Sequence, residues 1–341
     1  MGLSRLLPGP LRRRYQRWKE KNESKLKEYG LMWYAFKKSP ISVAGLIIVA
    51  FMLVFALFSP QVLSGTEWLM NFLYTHKMIK ELPKFNAFDY SMDLLQPPSW
   101  KHWFGTDEFG RDMFARCMLG LQISLAYAVT VIALGVPLGI ILGLVAGYYG
   151  GKVDELISRI TDIFFAFPSL ILAMALAASL GAGMESAIIA MIVVWWPGYV
   201  RLIRGQVLSV RENLYVEAAR AAGMSDFKII IKHIAPNVLT PVIIYLTMDM
   251  AGVVLMGAGL SFIGLGAQPP TPELGRLVYD GLNFLPQKWW YSLIPGFILF
   301  IWALGFNLLG DGLRDVLDPR YRRRLEFKMK EKKKKEMRGE E

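Results

Sequence analysis

The sequence holds one cysteine, Cys117, and three histidines, His76, His102 and His233, in 341 residues. A single thiol forms no intramolecular disulfide, and one thiol with three imidazoles is a poor basis for a Cys/His metal site. Disulfide scaffolds and zinc enzymes drop out. No G-x-x-x-x-G-K-[ST] occurs: the pair Gly151-Lys152 has Ala146 where the first glycine belongs and Val153 where the hydroxyl belongs. The chain therefore lacks a P-loop for ATP. HExxH is absent, and Ser261 between Gly259 and Gly264 misses the G-x-S-x-G spacing by one residue, with every histidine in a stretch between apolar runs. An intramembrane hydrolase has no support. Carboxylates are also scarce where the chain is most apolar. The spans contain only Asp249, whereas ion-coupled carriers place several ionisable groups at mid-membrane.

What is present is hydrocarbon. Hydrophobic residues make up 54% of the chain and its mean hydropathy is +0.34, too apolar for two soluble domains. Uncharged stretches of about 20 residues, the length that crosses a hydrocarbon core of about 30 Å, predict six transmembrane helices and an all-α membrane protein. The first covers 41–59, with Ser39 as N-cap and Pro40 at N1; it is too long for a signal peptide and lacks a small-residue cleavage site. The second lies in the uncharged run 117–151, the third at 163–181, and the fourth at 186–203 with Pro197 inside and Arg201 and Arg204 at its end. Thr240-Pro241 reads as the start of the fifth, which runs to Gly266, and the sixth covers 289–310.

Orientation follows from the cations. Of 39 Lys and Arg, 31 fall on the side that holds both termini and 8 on the other, so both termini are expected in the cytoplasm of a cell-membrane protein. The expected organisation is a cytoplasmic basic tail and interfacial helix at 1–40, the first span at 41–59, and an extracytoplasmic loop at 60–118. A core of five spans at 119–310 follows, with a cytoplasmic loop at 204–236, then a second basic tail at 311–341. Tyr29, Trp33, Tyr34 and Phe36 before Lys37 and Lys38 read as an anchor at the lipid interface. Glu326, Glu331, Glu336, Glu340 and Glu341 interrupt the C-terminal cations. That pattern favours anionic lipid over nucleic acid.

Two glycine patterns stand out. Gly135, Gly139, Gly143 and Gly147 lay small residues on one face of the second span, which allows close helix packing within the subunit or across an interface. Gly257, Gly259, Gly264 and Gly266 surround Leu260-Ser261-Phe262 at the end of the fifth span, and make Ser261 and Phe262, with Asp249, candidates for a translocation pathway. The loop between spans four and five carries more information. It reads Glu217-Ala218-Ala219-Arg220-Ala221-Ala222-Gly223-Met224-Ser225-Asp226-Phe227 and continues to Pro236. Alanines favour a helix, Gly223 suits its C-terminal cap, Ser225 or Asp226 can cap a second helix, and Pro236 closes the segment. Glu217 and Arg220, at i and i+3, are placed to pair with each other or with a partner protein.

Glu-Ala-Ala, a glycine four residues on and a proline thirteen further resemble the signature loop of inner-membrane permease subunits of ABC importers. Phe104-Gly105-Thr106-Asp107-Glu108-Phe109-Gly110-Arg111-Asp112, Leu260-Ser261-Phe262-Ile263-Gly264-Leu265-Gly266 and Gln268-Pro269-Pro270-Thr271-Pro272-Glu273 resemble the second permease of the dipeptide/oligopeptide and nickel systems. The likeness extends from about residue 37 to 319. It implies a type I ABC importer permease fold, a second permease subunit, two cytoplasmic ATPases that bind ATP and Mg, and an extracytoplasmic solute-binding protein. This chain would bind no cofactor and no metal, and would carry no catalytic residue. Residues 222–230 would form the helix that docks on an ATPase. Short peptides are the expected cargo, with oligosaccharide or chelated nickel as the alternative, and a channel or ion-coupled carrier as the reading from another class. Relatives often carry an acid where Gly257 stands, and Asp249 lies eight residues earlier, about 80° round the helix, so it does not replace that acid.

Overall fold

A computed structural model describes residues 23–58 and 87–317. The expectations for 1–22, 59–86 and 318–341, which include most of both basic tails and half of the large loop, lie outside the described residues. Among those described the regular secondary structure is helical apart from one isolated antiparallel bridge between Thr106 and Asp112. The helices are α1 (Glu23–Lys38), α2 (Pro40–Leu57), α3 (Met113–Tyr149), α4 (Gly151–Phe165), α5 (Ser169–Leu180) and α6 (Met184–Val210). They continue with α7 (Leu214–Ala221), α8 (Asp226–Ile229), α9 (Ala235–Phe262), α10 (Leu274–Leu282) and α11 (Trp290–Leu317).

Five of these segments are long and apolar enough to cross a membrane: α2, α3, α6, the composite Asp226–Phe262, and α11. The pair α4 and α5, bent by 83°, brings the number to six where it is taken as one broken span. The third span was expected at 163–181, but helix begins at Gly151 and breaks at 166–168. Gly150 and Gly151, at φ +66° and +52°, turn the chain from α3 into α4. Pro168 then ends the run, because the residue before a proline is driven out of the helical region. With its 12 residues α5 reaches only about 18 Å, too short to cross alone.

Four other boundaries differ from expectation. The second span starts at Met113, not in the uncharged run from Cys117, because Asp112 caps it and Arg116 is buried against partners instead of facing lipid. Thr240-Pro241 does not start the fifth span: the helix is already running from Ala235, and Pro241 lies inside it. Nor does Pro236 close the preceding loop. Residues Ile230–Ile234 form a widened π turn, in which the Ala235 N–H reaches the Ile230 carbonyl, and this absorbs a proline that would clash in a regular turn. The last helix continues past Gly310 to Leu317.

The helix α3 is the spine, packed on α6, α9 and α2. A second pair, α2 with α11, closes on glycines: a Cβ at Gly45 would stand 2.5 Å from the Leu309 nitrogen. Ser39 caps α2 by accepting the Ser42 N–H, with Pro40 next to it. Ahead of it, α1 exposes Trp33 and Tyr34, each beneath a lysine ammonium at 5.0 Å, and buries Ala35 and Phe36 against Val316 of α11. That split, apolar rings outward with cations above them, suits the lipid interface.

Candidate functional site

At one end of the bundle the chain between α6 and α9 forms a hairpin. Arg211 ties its start to α3 by donating from Nη1 to the Gly147 carbonyl at 2.9 Å. The short helix α7 buries Val216 and Ala219 and leaves Glu217, Ala218 and Arg220 exposed. Gly223 ends it at φ +74°. The Gly223 N–H then bonds the Arg220 carbonyl at 3.0 Å and the Met224 N–H the Ala219 carbonyl at 3.1 Å, the paired bonds of a Schellman cap. Ser225 precedes α8 in extended conformation but makes no side-chain cap bond. Asp226 instead accepts from the Tyr148 hydroxyl at 2.7 Å, a second tie to α3.

Glu217 and Arg220 do not pair with each other among the described ion pairs; the Arg220 guanidinium lies 5.8 Å from the Tyr148 ring centre. Leu214 and Phe227 project from the hairpin at 82% and 72% exposure. Both side chains are held out from the corner and are open to a partner. Pro236 sits just beyond the π turn, in the first turn of α9.

The glycine stripe of α3 faces α6 within the same subunit. A Cβ at Gly139 would lie 2.5 Å from Tyr199 Cβ, at Gly143 2.7 Å from Ile203 Cβ, and at Gly147 2.6 Å from Val207 Cβ. The partners 199, 203 and 207 repeat every four residues, like the glycines. This stripe is therefore packing inside the subunit, the first of the two readings above, and it brings the backbones close enough for the middle of α6 to be held rigidly.

Asp249 sits halfway along α9 against that part of α6, where its Oδ2 accepts from Trp195 Nε1 at 2.8 Å and from Tyr199 Oη at 2.7 Å. Ser261 lies elsewhere: it is fully buried and its Oγ accepts the Ala267 N–H at 3.1 Å, pinning the turn after α9. Phe262 packs edge-on to Tyr279 of α10. Asp249 and the Ser261-Phe262 pair thus do not form one cluster.

Two polar assemblies stand apart from the residues singled out as site candidates. Before α3, Asp107 is buried with Arg111, whose Nε donates to Oδ2 at 2.7 Å, while Arg116 Nε stands 3.3 Å from the same oxygen. Asp112 caps α3 through the Ala115 N–H and meets His102 Nδ1 at 3.0 Å. Trp290 at the start of α11 bonds the Thr106 carbonyl, so this motif locks the loop onto the last span. The density of paired charge directly before an uncharged run was the available clue.

The second assembly is Glu273, fully buried at the start of α10, where it accepts the Arg276 N–H at 3.1 Å and the Ser124 hydroxyl at 3.3 Å. Burial pushes its carboxyl above the usual range, and the hydrogen bonds oppose that without reversing it. A carboxyl raised on folding supports the fold fully below its ordinary pKa of about 4.3 and loses that contribution as pH rises through the folded value. Glu273→Gln stays neutral throughout. The thermal midpoint of the variant should therefore fall less than that of the wild type as pH rises above the ordinary carboxyl pKa of about 4.3; parallel curves would refute the assignment.

Among the described residues, long apolar helices and one bent helix pair, with a capped hairpin projecting from one end, define a multi-pass helical membrane protein. Residues 135–323 match the family described as binding-protein-dependent transport system inner membrane component, and residues 29–98 match the N-terminal TM domain of oligopeptide transport permease C. The chain is 42% identical over 290 residues, 85% of its length and 91% of the relative's, to a probable D,D-dipeptide transport system permease protein of Escherichia coli K12. It is 42% identical, over 83% of itself and 87% of the relative, to a dipeptide transport system permease protein of Alkalihalophilus pseudofirmus. It is 39% identical, over 84% and 89%, to a glutathione transport system permease protein of Escherichia coli O6:K15:H31. Among solved structures, the MetNI methionine ABC transporter in an inward-facing form matches with TM-score 0.48 at 20% identity, over 60% of this chain and 96% of that one. The chain belongs to the binding-protein-dependent transport system inner membrane component family.

Proposed function

We propose that this chain is one of two permease subunits of an ATP-driven importer and that its cargo is a short peptide. The observation that carries the coupling part is the hairpin: a Schellman corner at Gly223, anchored to α3 through Asp226 and Arg211, holds Leu214 and Phe227 out for a partner. Glu217, Ala218, Ala219, Arg220, Gly223, Ser225, Asp226, Phe227 and Pro236 make up the loop on which an ATPase subunit docks. ATP and Mg are bound and ATP is hydrolysed on those partners, and a solute-binding protein delivers cargo to the opposite face. The peptide assignment rests on the named transport of dipeptides and glutathione by the relatives.

Docking on cytosolic ATPases requires the hairpin, and with it both termini, on the cytoplasmic side, as the split of 31 cations against 8 supports. Labelling tests this. Met92, 97% exposed, lies in the segment before α3, and Cys117 is buried and unreachable. In intact cells an impermeant maleimide should label Met92→Cys and leave Ser225→Cys unlabelled until the membrane is opened. Labelling of Ser225→Cys from outside would remove the hairpin from the ATPases and end this reading.

A further inference from the structure

Asp249 is the one carboxylate of the composite span Asp226–Phe262 beyond its first residue, and its surroundings are aromatic. Trp195 and Tyr199 both donate to Oδ2. Oδ1 accepts from no described residue, yet it is not among the buried polar atoms that lack a partner. The carboxylate is thus fixed by one oxygen and reachable at the other. Tyr245, one turn earlier on α9, is itself exposed and lays its ring edge-on to Tyr199 at 5.2 Å. Gly252, one turn later, leaves room for the Trp195 ring, whose atoms come within 3.5 Å of where a Cβ would stand.

Among the described residues no cation pairs with this carboxylate. Arg201, on α6 just beyond Tyr199, pairs with Asp162 at 3.1 Å and lies over the Phe165 ring, and Arg204 holds Asp154 through Nη2 at 2.7 Å. A metal ion is equally ill served, since the described residues contain no group of three or more His, Cys, Asp or Glu fit to hold one. A carboxylate fixed through one oxygen by two in-plane donors attracts an organic ammonium by charge at the other, and the exposed Tyr245 ring one turn away adds an aromatic surface. A lone acid in a span faces protein or a wet path, not lipid.

We propose that Asp249, Trp195, Tyr199 and Tyr245 form a mid-membrane site for an ammonium group, met during import as the amino terminus of a short peptide. This rests on the peptide-import reading above. The two hydrogen bonds to Oδ2 set the carboxylate's rotamer, so that Oδ1 is presented to the passing amine. Tyr245 supplies a ring without spending its hydroxyl on Asp249. The site acts on cargo already released into the permease, independently of any recognition by the binding protein.

The test is equilibrium binding to the purified assembly of both permeases and both ATPases, without binding protein, using radiolabelled trialanine and N-acetyl-trialanine. The wild type should bind trialanine about tenfold more tightly than its acetylated form. Asp249→Asn, which still accepts from Trp195 and Tyr199, should bind the two alike. Asp249→Glu should restore part of the preference, and Tyr245→Leu should weaken trialanine alone. Equal wild-type binding, absence of saturable binding, or a preference that survives in Asp249→Asn would each overturn the site. Uptake into proteoliposomes with the binding protein present separates the two claims. Peptide uptake without the binding preference removes only the Asp249 site, and no peptide uptake by the wild type removes the peptide reading with it.

Discussion

Leucine in place of Gly139 should abolish the assembled permease. At that position α3 and α6 touch through backbone: a Cβ would lie 2.5 Å from Tyr199 Cβ and 2.6 Å from the Trp196 carbonyl oxygen. Neither neighbour is the free end of a side chain that could swing away. Overpacking by even one methyl in such a place costs about 1–3 kcal/mol, and leucine adds three more carbons to it. The helices would have to separate, carrying Tyr199 away from Asp249. Membrane-inserted protein that co-purifies with the second permease should fall to about a tenth or less, since marginal stability turns a few kcal/mol into loss of the fold. Gly135→Ala is the control, because its Cβ would meet Ile192 and Trp195 at an ordinary 3.6 Å. Normal yield of Gly139→Leu would show that the two helices are not in contact there.

Valine in place of Gly223 should leave the protein inserted and disconnect transport from ATP hydrolysis. The residue sits at φ +74° with nothing within 4 Å of a Cβ position, so the penalty is purely conformational. A left-handed residue with a side chain costs roughly 1–2 kcal/mol, and β-branching makes it worse. The cheaper outcome is to unwind the Schellman cap and move Leu214 and Phe227. Uptake should drop by about tenfold or more, and the ATPase of the complex should lose its response to loaded binding protein. Gly223→Asn, which tolerates the left-handed region, should keep most of both. A valine variant with wild-type coupling would detach the corner from the docking role.

Local signals were readable wherever they stand alone. Ser39-Pro40 marks the start of α2, and Gly223 marks the end of α7, because a cap and a left-handed turn are chemistry of one or two residues. The class of protein was equally legible, since uncharged apolar runs of membrane length seldom occur in soluble folds. Features decided by a distant partner were not. Arg116 reads as a boundary in the sequence, whereas Asp107 and the Ala87 carbonyl hold it inside. Pro236 reads as the end of the loop and Pro241 as a helix start, because the sequence does not show the π turn that lets the helix run through both. The stripe at 135, 139, 143 and 147 announced close packing, but only the matching period on α6 says with what. Asp249 was visible as a lone acid, while its rings at Trp195 and Tyr199 come from a helix some 50 residues away.

The most direct measurement is uptake by the complete importer: both permeases and both ATPases in proteoliposomes, with the binding protein outside, ATP inside, and labelled di- to pentapeptides compared with oligosaccharides of similar size. Saturable peptide accumulation that needs both ATP and the binding protein is the predicted result. Saturable sugar uptake without peptide uptake, or peptide movement that persists without ATP, would contradict it.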